Sequence, residues 1–151
     1  MKDFIETRII SAVCKLLLGR VNELLAETEY HIPLIEFSDY FSEAVVVPVI
    51  SLTACEQSEK ERIIRLDAYS LTITFSLVDT SSPKETLDSE LHCYAYSGAV
   101  SRAFFDDPSL GGVADRALIT NKKYIPPKNP HCGEGWGLVI TLRVTVEGLR
   151  K

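Results

Sequence analysis

The chain has 151 residues, of which 46% are hydrophobic and 25% are charged, and its formal net charge is -5 at pH 7. This length and balance predict one folded domain over residues 1–151 with a substantial core, and they exclude a disordered chain. Because the acids are spread along the chain and no basic stripe opposes them, direct binding to nucleic acid or to an anionic membrane surface is not expected.

The first predicted element is a long helix over residues 3–26. Its apolar side chains cover roughly 220° of the circumference at 100° per residue, which is wider than the stripe of an ordinary surface helix. The narrow polar strip consists of Arg8, Ser11, Lys15, Gly19 and Asn22. A helix this apolar needs cover on two sides, so we expect either another helix or another subunit on the side that a sheet leaves open.

Two extended segments follow, at 45–55 and 63–78, joined by the charged sequence EQSEKER. They predict a long β-hairpin with a solvated tip. In the second segment apolar and hydroxyl side chains alternate from Tyr69 onward, which is typical of a strand with one buried face. The apolar positions are odd-numbered from Tyr69 onward, whereas those before Tyr69 are even-numbered. This change of phase predicts a β-bulge at 67–69.

A second helix is predicted from Ser82, which can cap it, to about residue 105. One of its faces carries apolar and small side chains that would let a neighbouring backbone approach closely. The members of that face are Leu87, Leu91, Tyr94, Ala95 and Gly98. The helix ends in the sequence DDPSLGG at 106–112, because proline cannot continue a helix and glycine tolerates positive φ. This segment predicts a structural turn made by Asp107, Pro108, Leu110, Gly111 and Gly112.

A strand at 117–125 and a strictly alternating strand at 136–147 complete the order of elements, which is helix, strands, helix, strands. There is no repeated strand-helix-strand unit. The predicted fold is therefore α+β, with an antiparallel or mixed sheet that carries both main helices on one face.

The four cysteines and three histidines are the candidates for thiol or metal chemistry. Lys15 and Arg20 interrupt the most apolar window, so neither export nor membrane insertion is expected, and the four cysteines should be free thiols in a reducing cytoplasm. Adjacent pairs such as His131-Cys132 lack the spacing of a metal site. We predict no cofactor, no metal and no catalytic residue, with a small thiol or metal enzyme using His131 and Cys132 as a remote alternative.

The uncovered face of the predicted sheet is rich in hydroxyl groups and weakly charged. A plain solvent-facing sheet is the simplest interpretation of that face. Three features favour instead a subunit that buries its remaining apolar surface against other subunits. They are the unusually apolar first helix, the charged hairpin tip and the long strands with free edges. The candidate interface residues are Ser70, Thr72, Thr74, Thr141 and Arg143 on the strands, with Glu56, Glu59 and Lys60 at the tip.

Over nearly its whole length the chain resembles the small tail terminator and tail-completion proteins of tailed phages and prophages. The resemblance lies in the order of four segments, which are PVISLTACEQSEKERIIRLDAYSLTITFSLVD, KETLDSELHCYAYSGAVSRAF, DDPSLGG and GLVITLRVTVEG. The most recognisable match is DPSLGG directly after the helix, followed by a strand that contains a tyrosine, here Tyr124.

The resemblance implies two helices on an antiparallel sheet, no catalytic residues and a hexameric ring at the end of the tail tube. Such a ring would stop polymerisation of the tail tube protein and offer a surface to the head-tail connector. The protein would then reside in the bacterial host cytoplasm during assembly and afterwards in the virion tail. Leu110 would be an apolar anchor that holds the turn against the domain. A head-tail connector or neck protein is the alternative within the same class.

Overall fold

The computed structural model describes residues 4–28, 32–37, 45–54, 66–78, 83–128 and 134–147. The N-terminal helix consists of α1, a π-helical turn and α2, and the second long helix is α3. The helical bounds are Ile5–Leu16 for α1, Leu17–Val21 for the π turn, Asn22–Ala26 for α2 and Pro83–Asp106 for α3. The strands are β1 (Leu34–Ile35), β2 (Val45–Val46), β3 (Val49–Ala54), β4 (Leu66–Val78), β5 (Arg116–Ile125) and β6 (Glu134–Glu147). None of the helices in the described ranges has the length and hydropathy needed to cross a membrane.

The N-terminal helix buries one line of side chains spaced four residues apart. The line consists of Ile9, Val13, Leu17, Val21 and Leu25. In an ideal α-helix a four-residue spacing drifts by about 40° per step, so the last member would point far from the first. A π turn takes more residues per turn and therefore counters this drift, which explains how Leu25 remains in the core.

The main sheet has four antiparallel strands in the order β3-β4-β6-β5, and β1 pairs with β2 in a separate short parallel sheet. Alternate residues of the two central strands are buried under the helices. Leu71 of β4, for example, lies between Leu52 of β3 and Leu142 of β6. The prediction of an α+β fold with two main helices and an antiparallel sheet is confirmed.

The long hairpin is not confirmed. β3 pairs with β4 from Val49 opposite Thr74 to Ala54 opposite Tyr69. The joining residues 55–65 lie outside the described ranges, and with them the candidate interface residues Glu56, Glu59 and Lys60.

The predicted bulge at 67–69 is wrong. The pairing of β4 with β6 is continuous from Leu66 to Ser76, so no residue is inserted there. Ala68 and Tyr69 are both buried although they lie on opposite faces, so the change of apolar phase reflects burial on both sides of the strand and not an extra residue. The registers shift elsewhere, between Ser76 and Val78 and between Ile119 and Asn121.

The predicted contact face of the second helix is wrong for three of its five members; of the other two, Ala95 packs against the core and the side chain of Leu87 lies outside the described residues. Leu91 and Tyr94 are exposed, and a Cβ built on Gly98 would meet no atom within 4 Å. The buried face of α3 instead contains Ser89, Cys93, Tyr96, Ser97, Val100, Ala103 and Phe104. Helical periodicity fits either face, and the ring of Tyr96 decides between them by stacking on Phe75 of β4 at 4.9 Å.

Candidate protein-interaction surface

The open face of the sheet brings the predicted strand residues together. Ser70 of β4 lies directly opposite Arg143 of β6, and Thr72 lies opposite Thr141. Thr74 is one pair further along, opposite Val139. These hydroxyl-bearing side chains are half-buried by their neighbours, whereas Arg143 is exposed. The face can therefore donate and accept hydrogen bonds over several adjacent rows.

The outer strand β5 adds positive charge to this face. Leu118 of β5 lies opposite Arg143, and Arg116 and Lys123 share the same side of the sheet by register. All three cations are exposed in a chain whose formal charge is -5. The exposed cations in the described part of this face are thus opposite in sign to the net charge of the whole chain.

The opposite side of β5 is fastened to α3 by polar contacts. The hydroxyls of Ser97 and Tyr124 share a hydrogen bond of 2.7 Å, and Lys122 Nζ donates to the Ser97 carbonyl at 3.1 Å. Desolvation lowers the pKa of Lys122. The rings of Tyr94 and Tyr124 meet edge to face with centroids 5.4 Å apart. We call this contact between α3 and β5 the α3-β5 seam. Its hydrogen bonds and ring contact hold β5 against the helix.

An exposed apolar stripe runs along α3 beside that seam. Leu91, Tyr94 and Phe105 recur at helical spacing on one side of the helix, and 85% of Phe105 is accessible to solvent. We call these three residues, together with Tyr124, the α3 flank. The sequence offered one signal for it: Phe104 and Phe105 are adjacent on a helix, so only one of them can face the core.

A second exposed apolar patch lies at the other edge of the sheet. Val47 precedes β3 and Val49 begins it, and 65% of Val49 is accessible to solvent. We call these two valines the β3 flank. Because β3 and β5 are the outer strands of the described sheet, the two flanks lie at opposite edges. The sequence pattern did not reveal the β3 flank, because the extended segment was predicted to begin at residue 45, whereas β3 begins at Val49.

The turn after α3 is held by its own hydrogen bonds. Asp107 Oδ1 accepts from the Gly111 amide at 3.1 Å and from Ser109 Oγ at 3.2 Å. Leu110, Gly111 and Gly112 have φ values of 53°, 68° and 93°, so three successive residues adopt left-handed backbone. Leu110 tolerates this conformation because its side chain is 97% buried in the core, with only 3% accessible.

Thiol chemistry has little support in the described part of the chain. Neither Cys14 nor Cys93 is in a disulfide; Cys93 is buried, and burial raises the pKa of Cys14. Both features disfavour the reactive thiolate. Within the described ranges there is no cluster of three or more residues that could hold a metal ion. His131 and Cys132 lie outside those ranges.

No model of a known protein family matches the chain, and no curated protein is similar enough in sequence to count as a match.

Proposed function

We propose that this chain is a structural subunit of a phage or prophage tail, and that copies of it form a closed ring on the end of the tail tube. The ring terminates tube polymerisation by occupying the growing face, and it presents a different surface to the head-tail connector. Its action is steric, and no residue has a catalytic role. The number of subunits that the sequence resemblance implies is six.

The observation that carries the assembly proposal is the presence of two separate apolar patches at opposite edges of the sheet. Phe105 on the α3 flank and Val49 on the β3 flank are both more than half exposed. Large exposed apolar side chains are favoured at protein interfaces. A ring needs a head-to-tail contact between two different patches, whereas a two-fold dimer pairs one patch with itself. Two patches on opposite edges fit the ring.

The resemblance supplies the tail context, and the confirmed fold agrees with it in element order. Fold likeness alone supports many functions, so the tail role rests on the resemblance together with the assembly geometry. The second interaction surface, toward tube or connector, is the open sheet face with Ser70, Thr72 and Arg143. Val49 lies opposite Thr74 and so shares this face by register, which means that the β3 flank adjoins the second surface at the β3 edge.

The assembly state is tested first with the full chain at micromolar concentration, by light scattering coupled to size exclusion. The expected result is a single closed oligomer. Phe105→Ser and Val49→Ser should each abolish it, because each removes one half of the head-to-tail contact. Leu118→Ser is the matched control, since Leu118 is a half-exposed leucine on the open face and should leave the ring intact. A wild-type monomer at all concentrations would overturn the proposal.

Mixing the two flank variants separates a ring from a two-fold dimer. The Phe105→Ser chain retains an intact β3 flank, and the Val49→Ser chain retains an intact α3 flank. A mixture should therefore form one joined pair and stop, whereas either variant alone stays monomeric. If one variant alone still forms dimers, the contact is not head-to-tail.

The tail role has its own test. Genes for portal, capsid and tail tube proteins should lie next to the gene for this chain, and co-expression with the neighbouring tube protein should yield short tubes capped by the ring. Tubes that grow without limit in the presence of a folded ring would contradict the terminator role and favour the connector alternative.

A further inference from the structure

We propose that a groove between the N-terminal helix and the turn after α3 binds an acidic peptide segment that also carries apolar side chains. The groove has a volume of about 450 Å³ and is lined on one side by the polar strip of the N-terminal helix and on the other by the turn. This inference does not rest on the proposed function.

The helix wall of the groove is cationic. Arg8, Lys15 and Arg20 all line it. Arg20 is engaged, since its guanidinium lies 3.6 Å from Glu23 and 3.6 Å from Asp106. Arg8 and Lys15 form no ion pair with any residue in the described part of the chain. Two unopposed cations therefore face the same open space.

The turn wall carries one negative charge, against three cations on the helix wall. Asp107 is the one carboxylate among the lining residues, and its Oδ1 atom already accepts hydrogen bonds from Gly111 and Ser109. These bonds hold the carboxylate within its own turn. The backbone of this wall turns through three successive left-handed residues, beginning at Leu110.

The remaining lining side chains are mostly apolar. Ala12 and Leu16 line the groove from the helix, and Leu110 and Val113 line it from the turn. Apolar surface beside cations is suited to a ligand that alternates carboxylates with apolar groups. A simple inorganic anion would leave this apolar surface uncovered.

The spacing of the cations favours an extended peptide over a single anion. Arg8 and Lys15 are separated by about 10 Å along the helix axis at 1.5 Å per residue. In an extended chain, side chains on one side repeat about every 6.7 Å, so carboxylates two to four residues apart can reach both cations. The lining from Arg8 to Arg20 corresponds to about 18 Å of helix, which matches an extended segment of about six residues.

The probe is a labelled peptide of about six residues that alternates glutamate and leucine, titrated into the full chain by fluorescence anisotropy. Its control replaces every glutamate with glutamine. We expect the acidic peptide to bind, the glutamine peptide to bind at least about tenfold more weakly, and added salt to weaken binding. Equal binding of the two peptides, or no binding of either, would overturn the proposal.

Variants place the binding in the groove. Arg8→Gln and Lys15→Glu should each lower the affinity for the acidic peptide by about tenfold. Lys15→Arg should keep the wild-type affinity, because it keeps the positive charge. Lys123→Glu is the matched control, because Lys123 is an exposed cation on the open sheet face and its reversal should leave peptide affinity unchanged. A loss with Lys123→Glu equal to the loss with Lys15→Glu would place the binding outside the groove and overturn the proposal.

Inorganic phosphate is the last arm of the test. Phosphate should weaken peptide binding only through its ionic strength. Sodium chloride at the same ionic strength should therefore have the same effect. Specific displacement of the peptide by millimolar phosphate would make this a small-anion site and overturn the peptide assignment.

Discussion

The Tyr96 hydroxyl donates a hydrogen bond of 2.6 Å to the Pro33 carbonyl, which ties the middle of α3 to the segment that leads into β1. The same ring stacks on Phe75 with an interplanar angle of 10°. Tyr96 therefore connects helix, sheet and the short parallel strands from one buried position. Since the residue is fully buried, each of these contacts is shielded from water.

Removal of that hydroxyl should destabilise the fold without disturbing the packing of the ring. We expect Tyr96→Phe to lower the free energy of unfolding by about 1–2 kcal/mol, because the Pro33 carbonyl loses its buried donor. The measurement is urea unfolding followed by circular dichroism. Tyr94→Phe is the control, since the Tyr94 hydroxyl bonds to Glu90 on the exposed side of α3 and its loss should have a smaller effect. If the two variants lost the same free energy of unfolding, burial of the Tyr96 hydrogen bond would not explain its contribution to stability.

Tyr96 also predicts a decline of stability at high pH. Burial raises the pKa of Tyr96 above the ordinary tyrosine value of 10.0, so the unfolded chain releases this proton first as the pH rises. The stabilisation is therefore complete below pH 10 and is lost progressively above it. Unfolding curves between pH 8 and about pH 11 should show this decline, and Tyr96→Phe should make it shallower. An unchanged slope in the variant would assign the decline to other groups.

The left-handed backbone of Leu110 predicts an unusual order of stability among its variants. Leu110→Ala and Leu110→Gly both remove a buried side chain, at a cost of about 2 kcal/mol or more. Glycine additionally relieves the left-handed strain, which costs other residues about 1 kcal/mol. We therefore expect the glycine variant to be at least as stable as the alanine variant, and Leu110→Asp to melt lowest. Thermal unfolding measures all three, and unchanged melting of Leu110→Asp would show that the side chain does not anchor the turn.

Two glycines should respond to alanine in opposite directions. Gly98 lies in the middle of α3 with open space around its Cβ position, so Gly98→Ala should raise the free energy of unfolding by about 0.5–1 kcal/mol. Gly112 has a φ of 93°, so Gly112→Ala should lower it by about 1 kcal/mol or more. Chemical unfolding of the two variants provides the comparison. A stabilising Gly112→Ala would contradict the backbone conformation of the turn.

The sequence predicted those parts of the fold that depend on strict two-residue alternation. Leu71 and Leu142 face the core because a strand has two sides, and the same rule placed Thr72 and Thr141 on the open face. Helix orientation was harder to predict, because α3 is apolar on several sides. Only tertiary contacts, such as the stacking of Tyr96 on Phe75, decide which side is buried.

The candidate site was predictable to the same extent. The open-face residues followed from alternation, whereas the α3 flank follows from the orientation of a helix and the β3 flank from the residue at which a strand begins. The π turn at Leu17–Val21 has no marker in the sequence, and it keeps Val21 and Leu25 in line with the buried residues of α1. Long-range packing therefore accounts for what sequence patterns missed.

The two described thiols should differ in reactivity for reasons of burial alone. Cys93 is completely buried, so it should react with a disulfide reagent only when the chain opens. Cys14 is half-buried, and desolvation raises its pKa. Cys14 should therefore react from the native state, but more slowly than a solvent-exposed thiol at pH 7–8, just below the ordinary cysteine pKa of about 8.5. Variants Cys14→Ser and Cys93→Ser assign the two rates. Fast native-state reaction at Cys93 would mean that α3 separates readily from the sheet, because the thiol has no other route to solvent.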